Sequence, residues 1–371
     1  MTSITYVNDL RFLYICRMLP YRALKYLVGY SVPAVVGFSL LSQGIWVYTA
    51  LVYAFLFIPF VELLFPPDRY NLQALEEEIV RKDRIYDWML YGHVPVQYAV
   101  LILFLYQMQQ PGLEVYERVG KILAMSISCG VIGINVAHEL GHRVKKSEQV
   151  MAVALLSTSL YAHFFIEHNK GHHKHVSTPQ DPSSARYNEP VYLFYFRTII
   201  GTVKSAWHIQ MQELKQTGAR FFSMHNTLGI LFVFELILLV SIACFAGLAA
   251  CLYFILAAVG GFLLLESVQY IEHYGLQRAL KQSGQFERVM PWHSWNSDHI
   301  FGRMVLYELT RHSDHHYLAS RKYQILRHHD EAPQLPMGYP AMILLALIPP
   351  AFFYVMNPRV KAILTAHSEK E

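Results

Sequence analysis

Six apolar stretches dominate the sequence, and each is long enough to cross a membrane as a helix. Crossing a hydrocarbon core of about 30 Å takes about 20 residues at the 1.5 Å rise of an α-helix. Of the 371 residues, 16% are charged and 54% are hydrophobic, whereas a soluble domain is about 25% charged. The sequence therefore predicts an all-α integral membrane protein with six transmembrane helices, near residues 26–43, 46–65, 89–108, 119–138, 228–247 and 249–270.

Polar regions separate these stretches and predict the topology. Residues 139–226 follow the fourth stretch and residues 271–371 the sixth, and both regions are rich in Lys and Arg. Cytoplasmic loops carry an excess of these residues, so we expect both regions and both termini in the cytoplasm. Residues 1–371 are predicted to form one membrane-embedded domain with a cytoplasmic, histidine-rich helical cap. A final apolar run at 340–356 contains Pro349-Pro350 and is expected to be interfacial or re-entrant.

The sequence "HELGH" ends the fourth apolar stretch. It fits the H-E-x-x-H pattern of zinc metalloproteases, in which two histidines hold zinc and the glutamate is the general base. His138 and His142 are four residues apart, so on a helix they share one face. Read alone, the motif is compatible with an intramembrane zinc protease whose third ligand is Glu266 in the sixth stretch.

Three further histidine elements lie at or just past the same ends of apolar segments, and together they predict a dinuclear metal site. Two are clusters of three histidines. The third is a single histidine, His273, at the end of the sixth stretch, where Glu266, Gln269 and His273 occupy positions i, i+3 and i+7 and so share one helix face. One tetrahedral zinc takes at most four ligands, so eight or nine histidines indicate two metal ions. The members of these elements are His168, His172 and His173, then His312, His315 and His316, and finally His273.

The clustering of these histidine elements makes a zinc protease and a metal transporter less favoured alternatives but does not exclude them. A zinc protease has no use for two further histidine clusters, and a metal transporter would place its polar ligands near the bilayer midplane. The ten other histidines are isolated or break the helical spacing, and we interpret them as structural or surface residues: His93, His163, His175, His208, His225, His293, His299, His328, His329 and His367.

Several motifs together resemble one protein family. The segments "HELGHR", "EHNKGHH", "YIEHYGL", "WHSWNSDHI", "RHSDHH" and "YQILR…LPMGYP" are similar to those of the integral-membrane alkane 1-monooxygenases, over residues 45 to 357. The three histidine boxes alone are shared with the wider superfamily of membrane fatty acid desaturases, hydroxylases and xylene-type oxygenases. Three positions depart from the family pattern without removing a motif histidine: Arg143, His175 and Asp298.

The resemblance implies a non-haem di-iron centre with two iron ions held only by histidines. Carried over motif by motif, the ligands are His138, His142, His168, His172, His173, His273, His312, His315 and His316. It implies a monooxygenase of the bacterial inner membrane that converts the terminal methyl group of medium- or long-chain n-alkanes to a primary alcohol with O2 and two electrons. Terminal hydroxylation of fatty acids or alkyl-aromatic methyl groups stays open, and no nucleic-acid partner is expected.

Side chains near the boxes are expected to orient the ligands. A metal-bound histidine usually donates its other N–H to a carboxylate or a carbonyl. Acidic and amide residues within or beside the histidine elements are the candidates for this role: Glu139, Glu167, Asp181, Glu266, Gln269, Glu272 and Asp314.

Electrons must come from another protein. The four cysteines (Cys16, Cys129, Cys244 and Cys251) are scattered, so the chain has no four-cysteine iron site of its own. The resemblance implies rubredoxin, reduced by rubredoxin reductase. Basic residues near the boxes are candidates for docking this acidic partner or for binding lipid headgroups: Arg143, Lys145, Lys146, Arg311, Arg321 and Lys322.

Overall fold

The computed structural model describes residues 21–368, and the side chains of residues 21–366. Cys16 and both chain termini, which were expected in the cytoplasm, lie outside the described residues. The described chain is built from helices, with isolated β-bridges but no strand ladder. The helices are α1 Tyr21–Leu41, α2 Gly44–Leu64, α3 Ala74–Lys82, α4 Ile85–Met108, α5 Val115–Gly141, α6 Lys146–Ser157, α7 at 164–175, α8 Val191–Thr217, α9 Thr227–Ala246, α10 Leu248–His273, α11 Ile300–Val305, α12 His312–Tyr317, α13 Tyr339–Ala346 and α14 Pro349–Ser368.

The six predicted spans are confirmed as α1, α2, α4, α5, α9 and α10, each long and apolar enough to cross a membrane. Helix α5 is the central one, because 78% of its most apolar window is buried against 17–39% for the other five. It packs against α1, α4 and α10. Its start is fixed by a capping box, in which Glu117 accepts a hydrogen bond from the backbone N–H of Glu114.

The span boundaries differ from the prediction where the histidines lie. Helix α5 continues to Gly141 instead of ending at residue 138, and α10 continues to His273 instead of ending at residue 270. The final apolar run forms α13 and α14, which bend by 119° at their break and so do not make one straight span. We call residues 142–226 and 274–338 the polar cap.

Three π-helical turns interrupt the helices, at Tyr53–Phe57, Cys129–Ile134 and His168–His172. A π-turn inserts an extra residue, is rare and often occurs at functional sites. The second turn lies directly before the first histidine box, and the third lies inside the second box. The second box therefore departs from regular α-helical spacing, whereas His138 and His142 of the first box lie on and at the end of the regular α-helical segment Asn135–Gly141.

Candidate metal centre

The nine predicted histidines come together in two groups. In each group, one ring nitrogen of every member lies within 4.8 Å of the corresponding nitrogens of the other members. We call them the five-histidine group (His138, His142, His168, His173, His315) and the four-histidine group (His172, His273, His312, His316).

The spacing of the nitrogens matches the edges of a metal coordination shell. In the five-histidine group, neighbouring Nε2 atoms form a closed ring with separations of 3.0–3.3 Å. In the four-histidine group, the Nε2 separations are 2.9–3.2 Å. Ligand nitrogens at about 2.1 Å from a metal lie about 3.0–3.4 Å apart at angles between 90° and the tetrahedral value. The donor set therefore fits one metal ion in each group.

The π-turn in α7 decides which histidines share a group. His168 and His173 are five residues apart and their Nε2 atoms lie 3.1 Å apart in the five-histidine group. His172, which regular helical spacing pairs with His168, belongs to the four-histidine group instead. Along α12, His312 and His316 face the four-histidine group, while His315 faces the other.

The protein surroundings favour neutral imidazoles, the form that binds metals. Burial lowers the pKa of His142 to about 3, with a further contribution from neighbouring positive charge. Burial and the neighbouring rings likewise lower the pKa of His315 and His316 far below the usual range. His172 differs: burial alone would lower its pKa, but the carboxylates of Asp181, Glu167 and Glu266 together outweigh burial and raise it.

Two of the seven predicted supporting side chains contact a ring of these groups within the described residues. Asp181 Oδ2 lies 2.9 Å from His172 Nδ1, and both side chains are fully buried. Glu272 Oε1 lies 3.3 Å from His312 Nδ1 and also accepts a hydrogen bond from the Tyr339 hydroxyl. These two carboxylates support the four-histidine group.

The other five supporting candidates have different partners. Glu139 pairs with Arg143 at 2.6 Å and accepts the backbone N–H of Tyr323, so it is not placed as a general base beside the rings. The remaining four bind elsewhere. Glu266 accepts hydrogen bonds from the side chains of Tyr161, Thr198 and Gln269. Asp314 accepts them from the side chains of Arg321 and His329 and from the backbone N–H of Arg327. Glu167 is hydrogen-bonded to Ser205, and burial and Asp181 raise its pKa to about 8.

Comparison with known proteins gives the family. The fatty acid desaturase family model matches residues 119–346, which contain all nine histidines. Alkane 1-monooxygenase 2 of Alcanivorax borkumensis is 38% identical over 89% of this chain and 86% of its own length. The chain belongs to the alkane 1-monooxygenase family. The alkane 1-monooxygenase of Acinetobacter baylyi is 37% identical over 82% of this chain and 74% of its own length. The xylene/toluene monooxygenase hydroxylase component XylM of Pseudomonas putida is 27% identical over 74% of each chain.

Two small, mostly apolar cavities lie next to each other between the membrane-spanning helices and the histidines of this family member. The inner cavity, of about 50 Å³, is bordered by His138, His168 and His312. The outer cavity, of about 70 Å³, lies among α1, α2, α5, α10, α11 and α13. Four side chains line both cavities and form the neck between them: Val131, Leu264, Val268 and Leu306.

Two of the predicted docking cations are internal. Arg143 is 7% exposed and pairs with Glu139 and Asp87, and Arg311 is 2% exposed. Their charges neutralise buried carboxylates, so the interpretation of these two residues as docking or headgroup contacts was wrong. Lys145 and Lys146 are exposed, as that role requires.

Proposed function

We propose that this chain is a di-iron monooxygenase that hydroxylates the terminal methyl group of medium- or long-chain n-alkanes. The observation that carries the proposal is that members of two all-histidine groups border a small apolar cavity among the membrane helices, with a second apolar cavity beside it. The relatives named alkane 1-monooxygenase, at 37–38% identity, give the reaction class.

Iron fits this donor set and this reaction. Imidazole suits iron, zinc, copper and nickel, but zinc has no accessible redox chemistry. We propose that the five-histidine group holds one iron ion and the four-histidine group the other. When bound, the pair of irons supplies the redox chemistry that uses O2 and two electrons to insert one oxygen atom into a C–H bond.

The chain's own residues position the substrate and exclude water. An alkane has no polar group, so shape and apolar contact alone orient it. We propose that an extended alkane passes the neck residues Val131, Leu264, Val268 and Leu306, with its end toward His138, His168 and His312, which line the inner cavity. Asp181 and Glu272 hold two rings of the four-histidine group in place.

The remaining parts of the proposal concern partners and location. Rubredoxin, with its reductase, supplies the two electrons, since the four scattered cysteines offer no iron site for internal transfer. We place the chain in the bacterial inner membrane with the polar cap and both termini in the cytoplasm, because Lys and Arg concentrate on that side.

Alkyl-aromatic methyl groups are a second candidate substrate class, favoured by the similarity to the xylene/toluene monooxygenase component. Fatty acids are disfavoured, because a carboxylate substrate needs a cationic anchor. Neither the inner nor the outer cavity has a Lys or Arg in its lining.

The proposal is tested by metal content and product analysis. Purified protein should hold about two irons per chain, as a dinuclear site requires; one tightly bound zinc instead would contradict it. With O2, NADH, rubredoxin and its reductase, an n-alkane series should give primary alcohols. His312→Ala should abolish product while the protein still inserts, and His163→Asn serves as the matched control, because His163 is buried near the second box but outside both groups. A full alkane series without primary alcohol would refute the assignment.

A further inference from the structure

A cluster of buried tyrosines lies behind the first histidine box and has no part in the proposed hydroxylation. Tyr26, Tyr86, Tyr307 and Tyr323 are each at most 3% exposed. Their ring centroids are 4.9–6.2 Å apart in the contacting pairs, and Tyr26 stacks on Tyr307 with an interplanar angle of 18°. The rings form a continuous aromatic contact network.

Two hydrogen bonds join this network to the helix that carries the first box. The side-chain amide of Asn135, one turn before His138, donates to the carbonyl of Leu306 at 3.2 Å. The backbone N–H of Tyr323 donates to Glu139 at 3.2 Å. Leu306 lines the inner cavity, and its neighbour Tyr307 turns the other way into the tyrosine network. The network is thus one residue removed from the candidate ligands and the substrate path.

Tyr307 has a base at hydrogen-bond distance. Its hydroxyl lies 2.5 Å from Nε2 of His93, a fully buried histidine that stacks on Tyr30 at a centroid distance of 4.0 Å. The other ring nitrogen of His93 has no hydrogen-bond partner among the described residues. A phenol loses an electron far more readily when its proton can pass at the same time to a neighbouring base. Tyr307 and His93 form such a pair.

The backbone around this pair is shaped to accommodate it. A Cβ at Gly29 would lie 2.7 Å from the Tyr307 hydroxyl oxygen, so only glycine leaves room for the phenol there. Tyr307 and Glu308 both have left-handed backbone conformations, with φ of 52° and 60°. Side chains other than glycine adopt this region at a cost, and such strain gathers at functional sites.

The neighbouring phenol–carboxylate pair is a weaker alternative. The Tyr26 hydroxyl donates to Glu308 at 2.8 Å. Glu308 is buried, which would raise its pKa, but the cations of Lys25, Arg303 and Arg311 outweigh burial and hold the pKa well below the usual range. The Glu308 carboxylate is thus already engaged by three cations, whereas the Tyr307 hydroxyl faces a ring nitrogen of His93 at 2.5 Å, so the inference is built on the Tyr307–His93 pair.

We infer that Tyr307 and His93 form a redox-active pair that discharges the metal centre when O2 reacts without an alkane in the cavity. The inference rests on the proposed function, because the oxidant arises from O2 at the histidine groups. An electron passes from Tyr307 to the oxidised centre while its hydroxyl proton moves to His93 Nε2. The products are a neutral phenoxyl radical on Tyr307 and an imidazolium on His93. The Tyr26 ring stacks on Tyr307 and belongs to the same aromatic network.

The cycle closes with the partners already named. The iron–sulfur electron donor returns one electron to the radical, and His93 returns the proton to the phenol. Two such cycles deliver two electrons to the centre, and with two protons from solvent they reduce the unused oxygen to water. Oxidising equivalents that would otherwise attack the histidine ligands are thus removed without loss of protein.

The test is electron paramagnetic resonance on the iron-loaded protein in lipid nanodiscs. Protein, reduced donor and O2 are mixed with and without octane and frozen during the first turnovers. We expect a tyrosyl radical signal without octane, which narrows when the tyrosines are ring-deuterated and falls severalfold when octane is present. Tyr307→Phe should lose this signal yet retain two irons and 1-octanol formation. His93→Gln, which keeps a polar group but no base, should also lose it.

Tyr270→Phe is the matched control, because Tyr270 is buried near the end of α10 but its hydroxyl donates to a backbone carbonyl, that of Glu189. This variant should keep the radical signal. Mass spectrometry should find more oxidised histidine in Tyr307→Phe than in Tyr270→Phe after incubation without octane. If the wild-type protein forms 1-octanol but no tyrosyl radical, or if Tyr307→Phe keeps the signal, the inference is wrong. A wild-type protein that forms no alcohol at all would refute the proposed function, and the inference with it.

Discussion

Replacing Asp181 by asparagine should release metal from the four-histidine group and leave the five-histidine group loaded. Asp181 is the carboxylate that most directly supports a candidate ligand, at 2.9 Å from His172 Nδ1 with both side chains fully buried. It is itself held by the Ser184 hydroxyl at 2.5 Å and the backbone N–H of Ser183 at 3.0 Å. Asparagine keeps the size of the side chain but removes its charge.

The expected loss follows from the kind of contact. Removing a carboxylate that orients a metal-bound histidine typically weakens metal affinity 10- to 100-fold, which corresponds to about 1.4–2.7 kcal/mol. The effect should lie at the upper end of this range, since no solvent reaches the pair to replace the lost charge. His172 belongs only to the four-histidine group, so the loss should be confined to one of the two ions.

Dialysis against a chelator series, followed by iron analysis, measures this difference. At a chelator concentration at which the wild-type protein keeps two irons, Asp181→Asn should keep one. Asp314→Asn is the matched control, because Asp314 stands among the ligands of α12 but binds Arg321 and His329 instead of a group member. Equal loss of both irons, or a loss as large in Asp314→Asn, would show that the carboxylate acts on general stability and not on His172.

Three further predictions follow from the same contacts. His138→Ala should lose iron from the five-histidine group, whereas Glu139→Gln should keep both irons, since Glu139 pairs with Arg143; iron analysis that finds the two variants alike would contradict this. Leu306→Ala widens the neck and should shift the product profile toward longer alkanes, while an unchanged profile across the alkane series would exclude Leu306 as a determinant. Glu308→Gln breaks a buried charge cluster and should destabilise the fold by about 3–5 kcal/mol at pH 7. The folded-state pKa of Glu308 is depressed, so the stabilisation by its carboxylate is fully present above the unfolded-state pKa of about 4.3 and is lost as the pH falls through the depressed value. The difference in thermal stability between wild type and variant should therefore close only in strong acid.

The membrane architecture could be predicted because it depends on length and polarity alone. A run of about 20 apolar residues must satisfy its backbone groups internally and is therefore helical in a bilayer. What these runs do not predict is where a helix ends once it leaves the hydrocarbon. Helices α5 and α10 each continue three residues beyond the predicted apolar run. The extension of α5 ends at Gly141, next to the candidate ligand His142, and the extension of α10 ends at the candidate ligand His273.

The nine histidines could be found from sequence, but their division between two groups could not. Spacing of four residues suggests that His168 and His172 act together. The π-turn moves His172 to the other group. Within this turn a Cβ at Gly171 would lie 2.6 Å from Glu167 Oε1 and 3.0 Å from Ser205 Oγ of α8, so the turn includes a close approach to a distant helix that the spacing of the histidines does not reveal.

The supporting carboxylates were the least predictable part of the site. Nearness in sequence places a carboxylate beside a ligand but does not say which partner it meets. Glu139 lies next to His138 yet turns to Arg143, and Asp314 lies two residues from His312 yet binds Arg321. Asp181, nine residues from His172, is the one that reaches a ring at 2.9 Å. Glu139 and Asp314 bind nearby arginines instead of histidine rings, and which cations lie near a carboxylate depends on the tertiary fold.

The proposed reaction needs a water-insoluble alkane at the same centre as electrons and protons from water, and the structure gives these reactants separate approaches. The inner apolar cavity meets the rings of both groups at His138, His168 and His312. A polar cavity of about 620 Å³ reaches Asp181, the partner of His172, and shares no lining residue with the apolar one. The polar and apolar cavities therefore approach the centre from separate sides, while the Asp181 carboxylate itself is fully buried. Tyr307 lies on a third side, behind the first box, where its phenol is reached through protein contacts alone. When no alkane is bound, the oxidised centre can therefore take an electron from Tyr307 through protein contacts, and no water has to enter the substrate cavity.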